Sequence, residues 1–125
     1  MALTKRLSLI AMAAFFVFNG INHFRNADTY QAMIPAAVPF EDAINVGVGT
    51  AEIALGLLVL HPRFRVRAVW GLIALLIAVF PANLYVAVTN VDYLGRPTPL
   101  INWVRLPFQA LFIYWAWSHT QERTN

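Results

Sequence analysis

The sequence predicts an all-α protein, namely an antiparallel four-helix transmembrane bundle with a short interfacial segment between helices 1 and 2. Of the 125 residues, 59% are hydrophobic and 12% are charged, whereas soluble globular chains have about 45–50% and about 25%. Four apolar stretches are each close to the roughly 20 residues that a helix needs to cross a bilayer. Because they occupy most of the chain, too few polar residues remain to cover a soluble globule. We expect a single integral-membrane domain over residues 1–125.

The four predicted membrane helices are separated by polar, proline or glycine residues. Their expected bounds are Leu7–Phe24, Ala43–Leu60, Ala68–Val88 and Ile101–Trp117. The first one follows Lys5 and Arg6 but is longer than the ~7–15-residue apolar core of a signal peptide. No small-residue cleavage motif closes it, so we expect this helix to be retained.

The connections between these helices are also informative. Asp28 can cap a short helix that ends before Pro35, and its apolar neighbours predict that this segment lies on the membrane surface. Tyr30 is then expected at the outer interface of the membrane. The second and third helices are joined by the short basic turn His61 to Arg67. Such a short turn predicts an antiparallel helix hairpin.

Basic residues outside the predicted helices indicate the orientation. Those expected on one side are Lys5, Arg6, Arg63, Arg65, Arg67 and Arg123, and those expected on the other are Arg25 and Arg96. Cytoplasmic loops carry the excess of Lys and Arg. We therefore expect both termini in the cytoplasm, with the protein in a bacterial cytoplasmic membrane.

Polar side chains within the predicted helices point to a site. A charge at mid-bilayer costs at least ~2.5–3.5 kcal/mol, so each one needs a partner or a wet cavity. Helical spacing gives each helix one polar face, and a rise of ~1.5 Å per residue places these groups in the outer half of the bilayer. The polar residues are Asn19, Asn22, His23, Asn45, Glu52, Asn83, Asn102, Arg105 and Gln109. From them we predict a ligand-binding set of Asn22, His23, Glu52, Asn83, Arg105 and Gln109.

Depth along the helices suggests which of these groups meet. Glu52 and Gln109 lie at similar depth, and Arg105 is the natural counter-charge for Glu52 because both side chains are long. Pro81 removes the hydrogen bond to the carbonyl of Ile77 and is expected to bend its helix at pocket depth. The alternative is that the polar groups only hold helices together, as polar side chains do in other bundles.

Glycines in the second predicted helix suggest close packing against a neighbour. Gly47, Gly49 and Gly56 would each let another backbone approach. We expect all three to serve this purpose.

Several kinds of chemistry have no motif in the sequence. There is no Cys, no phosphate-binding glycine loop and no nucleophile paired with a base, and the three His are far apart. The basic residues form a topological signal instead of a nucleic-acid groove, so no nucleic-acid partner is expected. With no catalytic motif, the protein would at most be an accessory subunit of an enzyme.

A set of short motifs in a fixed order covers nearly the whole chain. They are Gly20-x-x-His23-Phe24, Met33-Ile34-Pro35, Glu52 with Gly56, Phe80-Pro81-x-Asn83, and Arg105-x-Pro107-x-Gln109. This combination resembles the DoxX-like family of small four-helix membrane proteins, which are named for an association with thiosulfate:quinone oxidoreductase. The resemblance implies the four-helix fold and pocket residues His23, Glu52, Asn83, Arg105 and Gln109. It also implies a bound quinone or lipid and a membrane redox partner protein, and it leaves the reaction open.

Three hypotheses about function follow. The first is a non-catalytic membrane subunit that holds a small amphipathic or quinone-like ligand, with Arg105 and His23 as donors and Glu52 as acceptor. The second is a small proton-coupled transporter that works as a homo-oligomer, namely a dimer. The strong excess of basic residues on one side of the membrane argues against a dimer whose two copies have opposite orientations. The third is a structural or assembly partner without a ligand. All three place the chain in the lipid bilayer.

Overall fold

The computed structural model describes residues 2–34, 37–89 and 99–121. It contains five α-helices and a terminal 3-10 turn: α1 Leu3–Arg25, α2 Ala27–Ala32, α3 Glu41–Leu58, α4 Arg65–Thr89, α5 Pro99–Ser118 and the turn His119–Gln121. These described ranges hold no strand, which confirms the all-α prediction. Pro35, Arg96 and Arg123, which entered the predictions, lie outside the described residues.

The four long helices coincide with the four predicted apolar stretches. Each begins two to four residues earlier than predicted, and in α1, α3 and α4 the added residues include charged ones. Pro99 starts α5, a position where its missing N–H costs nothing. The short helix between α1 and α3 is present as well, but the prediction that Asp28 caps it is wrong. Asn26 occupies the cap position, and Asp28 lies in the first turn.

Length and composition mark two helices of the described chain as able to cross a membrane, α1 and α4. A buried core helix can meet the same criterion. The two other long helices are less apolar, because α3 carries Glu41, Asp42 and Glu52 while α5 carries Arg105 and Gln109. The structure thus gives weak support for membrane association through two of the four predicted spans.

Helices α1 and α3 form one antiparallel pair that depends on glycine. A Cβ atom added at Gly20 would lie 2.6 Å from the carbonyl oxygen of Gly49, and one added at Gly56 would lie 3.3 Å from that of Ala13. The two backbones are therefore nearly in contact. The prediction for Gly47 is wrong, since a Cβ there meets nothing within 4 Å. Gly47 faces away from α1 because it lies about 200° around the helix from Gly49.

Helices α4 and α5 form the second antiparallel pair, and α3 packs against α4 to join the two pairs. One half of the bundle, which we call the Ser8 end, is filled by apolar side chains. This core consists of Leu9, Met12, Phe16, Val59, Ala68, Val69, Leu72, Ile73 and Ala116. Ser8 links α1 to the end of α5, because its Oγ lies 2.8 Å from Nε2 of buried His119 and accepts a 2.8 Å hydrogen bond from Nε1 of Trp115.

The other half of the bundle, the Tyr30 end, is more open. Here α1 and α5 approach each other through side chains, with the rings of Phe15 and Phe112 stacked at 4.6 Å. The connection between α1 and α3 covers this end with Met33, Ile34 and Val38. A cavity remains between the two helix pairs.

Candidate functional site

The cavity at the Tyr30 end has a volume of about 560 Å³ and is lined by all four long helices. This volume falls within the roughly 300–1,000 Å³ of typical small-molecule sites. Much of its wall is apolar, including Phe15, Phe108 and Phe112. Polar side chains enter it from two opposite helix pairs and form two separate networks.

The first network lies on α1, α2 and α3, and we call it the carboxylate network. Its members are Asn19, His23, Tyr30, Asn45 and Glu52. Asn19 Nδ2 donates a 3.0 Å hydrogen bond to Oε2 of Glu52. Nε2 of His23 lies 3.8 Å from the same oxygen. The Glu52 side chain is thus held by α1 while it faces the cavity.

Asn45 determines which ring nitrogen of neutral His23 carries the hydrogen. Its Nδ2 donates a 2.7 Å hydrogen bond to the backbone carbonyl of His23, which fixes the orientation of the amide. The Oδ1 of Asn45 is then directed to Nδ1 of His23 at 2.8 Å. Because an amide oxygen only accepts, Nδ1 must carry the hydrogen. The neutral ring therefore presents the lone pair of Nε2 on the side of Glu52.

Tyr30 joins the network from α2. Its ring stacks on that of His23 with a centroid separation of 3.9 Å, and its hydroxyl donates a 3.3 Å hydrogen bond to Oδ1 of Asn19. Burial raises the pKa of the Tyr30 phenol, the nearby Glu52 carboxylate raises it further, and the Arg105 guanidinium lowers it. Tyr30 is therefore a neutral donor that holds Asn19 towards Glu52.

The second network lies on α4 and α5, and we call it the guanidinium network. Nη2 of Arg105 donates a 3.1 Å hydrogen bond to Oδ1 of Asn83, and Nη1 lies 3.8 Å from the sulfur of Met33. Asn83 Nδ2 in turn donates to Oε1 of Gln109, whose Nε2 donates to the carbonyl of Leu76. Pro81 lies within α4 next to this network. The carbonyl that Gln109 satisfies is that of Leu76, which directly precedes Ile77, the residue whose carbonyl Pro81 was predicted to leave without its helical donor.

The structure places five of the six predicted site residues in the cavity wall: His23, Glu52, Asn83, Arg105 and Gln109. Asn22 does not line it. At ~100° per residue, its side chain leaves α1 about 100° away from that of His23. Asn22 is half-buried, and its carbonyl accepts a 2.8 Å hydrogen bond from the N–H of Asn26.

The predicted pairing within the site differs from the structure. Arg105 was the expected counter-charge of Glu52, but the group within ion-pair distance of this carboxylate is His23. Arg105 donates to Asn83 on the opposite wall. Gln109 was expected to bridge to Glu52 and instead bonds to Asn83 and Leu76. Glu52 on α3 is bonded from α1 because α1 packs directly against α3, whereas α5 packs against α4.

Sequence reasoning left three members of the carboxylate network out of the predicted site. Asn19 and Asn45 follow the same helical stripes as His23 and Glu52, so the spacing contained a signal for both. Tyr30 was expected at the membrane interface. Its contact with His23 depends on how α2 folds back, and no spacing in the sequence indicates it.

The described residues contain no group of three or more His, Cys, Asp or Glu side chains that could hold a metal ion. The chemistry offered by the site is hydrogen bonding and charge. One carboxylate and one guanidinium face an apolar space from opposite sides.

Comparison with known proteins identifies a family for this chain. No curated protein and no solved structure matches the chain. No match links it to DoxX-like proteins, so that resemblance stays a prediction. The model of one family matches residues 12–120, which is most of the chain. The chain therefore belongs to the family described as "Domain of unknown function (DUF8561)".

Proposed function

We propose that this protein is an integral membrane protein whose cavity binds a small amphipathic molecule. The observation that carries the proposal is the space of about 560 Å³ between two polar networks, with aromatic walls beside them. Polar groups that served only to join helices would be drawn together. Here the hydrogen bonds of each network lie largely within its own helix pair, and the space between the two networks stays open.

The outward faces of the helices support the membrane setting. Large apolar side chains are exposed on all four long helices, among them Leu7, Ile10, Phe18, Val46, Leu57, Ile77, Leu84, Val88, Leu100 and Leu111. Soluble monomers rarely expose continuous apolar surface of this kind. Glu52 and Gln109 are each only 4% exposed, so the polar groups of α3 and α5 face the cavity and not the lipid. We therefore extend the membrane assignment to a four-helix transmembrane bundle with α2 at its surface.

The described basic residues support the proposed orientation. Those near the Ser8 end are Lys5, Arg6, Arg63, Arg65 and Arg67, whereas Arg25 is at the Tyr30 end. The positive-inside rule then places the Ser8 end in the cytoplasm and the cavity in the outer half of the membrane.

Single cysteines can test this orientation, because the chain has no Cys of its own. Asp28 and Arg63 are exposed near opposite ends of the bundle. With a membrane-impermeant maleimide on intact cells, the Asp28→Cys variant should be labelled and the Arg63→Cys variant should react only after lysis. The reverse pattern would contradict the orientation. Equal labelling of both variants in intact cells would argue against a membrane-spanning bundle.

The two-sided chemistry of the cavity supports an amphipathic ligand. A polar head can bond to the networks, and an apolar tail can pack along Phe15, Phe108 and Phe112. The resemblance to DoxX-like proteins extends this proposal to a quinone-like molecule and to a role beside a membrane redox enzyme. In that role the protein binds the molecule, and the partner carries out the reaction.

A cavity-filling substitution tests the binding function. Ala82 on α4 lines the cavity, so Ala82→Phe should occupy it. Protein extracted gently from its own membrane should carry a small molecule that native mass spectrometry detects, and this variant should lose it. Ala74→Phe is the matched control, since Ala74 is exposed two turns earlier on the same helix and lies outside the cavity wall.

The control variant should retain the bound molecule at the level of the wild type. A bound molecule that survives Ala82→Phe unchanged would show that it lies elsewhere. If the wild type carries no molecule and binds neither dodecanol, dodecylamine, dodecyl methyl ether nor dodecanoate, the binding proposal is wrong.

A further inference from the structure

We infer that the head of the ligand is a hydrogen-bond donor, a hydroxyl or a primary amino group, and that it bonds to Glu52 and His23. This inference rests on the proposed binding function. It names the chemistry of the ligand at one wall of the cavity.

The first observation concerns the two oxygens of Glu52. Oε2 accepts the hydrogen bond from Asn19 and lies near His23. Across residues 2–34, 37–89 and 99–121, no side chain or backbone N–H donates to Oε1. The Glu52 side chain is only 6% exposed and lines the cavity. A buried carboxylate oxygen without a donor costs free energy, which a ligand hydrogen would recover.

The second observation is independent of the first and concerns His23. Asn45 holds the hydrogen of the neutral ring on Nδ1, as its amide orientation requires. Nε2 is then an acceptor, and it lies 3.8 Å from Oε2 of Glu52. Two acceptors therefore stand side by side in the cavity wall. A group that brings hydrogen can satisfy both.

These two acceptors discriminate between classes of head group. A carboxylate or sulfonate would be repelled by Glu52, and an ether or an oxidised quinone ring offers only further lone pairs. A hydroxyl, including that of a hydroquinone, can donate to Oε1 of Glu52. A primary amine has enough hydrogens to reach both Oε1 and Nε2 of His23.

The tail of such a ligand has a path along the seam between α1 and α5. Phe15 and Phe108 line the cavity, and they are also 36% and 52% exposed. The two rings thus connect the cavity to the apolar surface of the bundle. An alkyl chain that starts at Glu52 can leave between these helices towards the lipid.

A matched series of alkyl probes tests the head-group chemistry in the full-length protein in lipid nanodiscs. The probes are dodecanol, dodecylamine, dodecyl methyl ether and dodecanoate, and binding is measured by thermal shift and native mass spectrometry. A hydrogen bond to a charged group is worth enough for about a tenfold change in affinity. Dodecanol and dodecylamine should therefore bind about tenfold more tightly than the ether, with dodecanoate weakest. The ratio of the affinities for dodecanol and dodecylamine shows whether a hydroxyl or an amine is the preferred head group.

Glu52→Gln removes the ionisable carboxyl group and keeps a side chain of the same size. It should reduce dodecylamine binding about tenfold and reduce the preference for dodecanol over the ether. Gly47→Ala is the control, since its added methyl meets nothing within 4 Å, and it should bind like the wild type. If Glu52→Gln does not fold, the relative affinities of the four probes for the wild type still test whether the head group must be a donor.

Failures of the two proposals can be told apart. If the ether binds as tightly as the alcohol, or dodecanoate binds most tightly, the donor head is wrong and the cavity remains a binding site. If no probe binds, the proposed function fails as well.

Discussion

Replacing Gly20 with alanine is expected to separate α1 from α3 and to destabilise the protein by about 1–3 kcal/mol, the usual cost of overpacking a close contact. The new methyl would lie 2.6 Å from the carbonyl oxygen of Gly49 and 2.7 Å from Cγ1 of Ile53. The first of these atoms belongs to the backbone, so a side-chain rotation cannot relieve the clash. Thermal unfolding in detergent, followed by circular dichroism, measures the effect.

Gly47→Ala is the matched control, because Gly47 lies on α3 near the same contact and faces open space. Alanine is better than glycine in a helix by roughly 0.5–1 kcal/mol, so this change should leave stability unchanged or raise it slightly. The two substitutions add the same methyl group with opposite expected signs. If both destabilise the protein equally, the close α1–α3 packing is not what holds this pair together.

Replacing Asn45 with alanine is the second change for which we expect a large loss of stability. Asn45 is 3% exposed and bonds to both the carbonyl and Nδ1 of His23. Each buried polar group left without a partner costs about 1–3 kcal/mol, and this substitution leaves two. The carbonyl of His23 also lies in the last turn of α1, where intrahelical donors run out. Asn45 on α3 therefore caps the C-terminal end of α1.

The measurement for Asn45→Ala combines unfolding with nitrogen NMR of the His23 ring. The hydrogen should be confined to Nδ1 in the wild type and should distribute between both ring nitrogens in the variant. Asn22→Ala is the control, since Asn22 is half-buried on the same helix as His23 and lies outside the cavity wall. Its effect on stability should stay within about 0.5 kcal/mol. If Asn45→Ala destabilises the protein no more than Asn22→Ala does, the Asn45–His23 bonds contribute little to stability.

Much of the helical architecture could be predicted from local information. The apolar stretch Ala68–Val88 lies inside α4 and Ile101–Trp117 lies inside α5, with shifts of a few residues at the ends. Hydropathy and breaker residues act over short distances, so a single sequence contains them. Even α2 was expected between the first two long helices, although its cap is Asn26 and not Asp28.

The composition of the cavity wall was also partly visible in the sequence. Glu52 and Gln109 had to avoid lipid, and the structure buries both beside the cavity. The sequence did not indicate which polar side chains bond to each other across the helices. Arg105 and Glu52 looked complementary by charge and depth, yet Glu52 accepts a hydrogen bond from Asn19 of α1 and Arg105 donates one to Asn83 of α4.

The amino-acid sequence on its own determined that the protein is helical, where its long helices run, and which face of each helix carries polar groups, because these properties follow from hydrophobicity and a period of ~3.6 residues. The tertiary structure alone decided which polar groups meet. Glycine contacts at Gly20 and Gly49 bring α1 against α3, so His23 reaches Glu52 and Asn45. The rotation of each helix about its axis then excludes Asn22 and admits Tyr30, and no local pattern encodes that rotation.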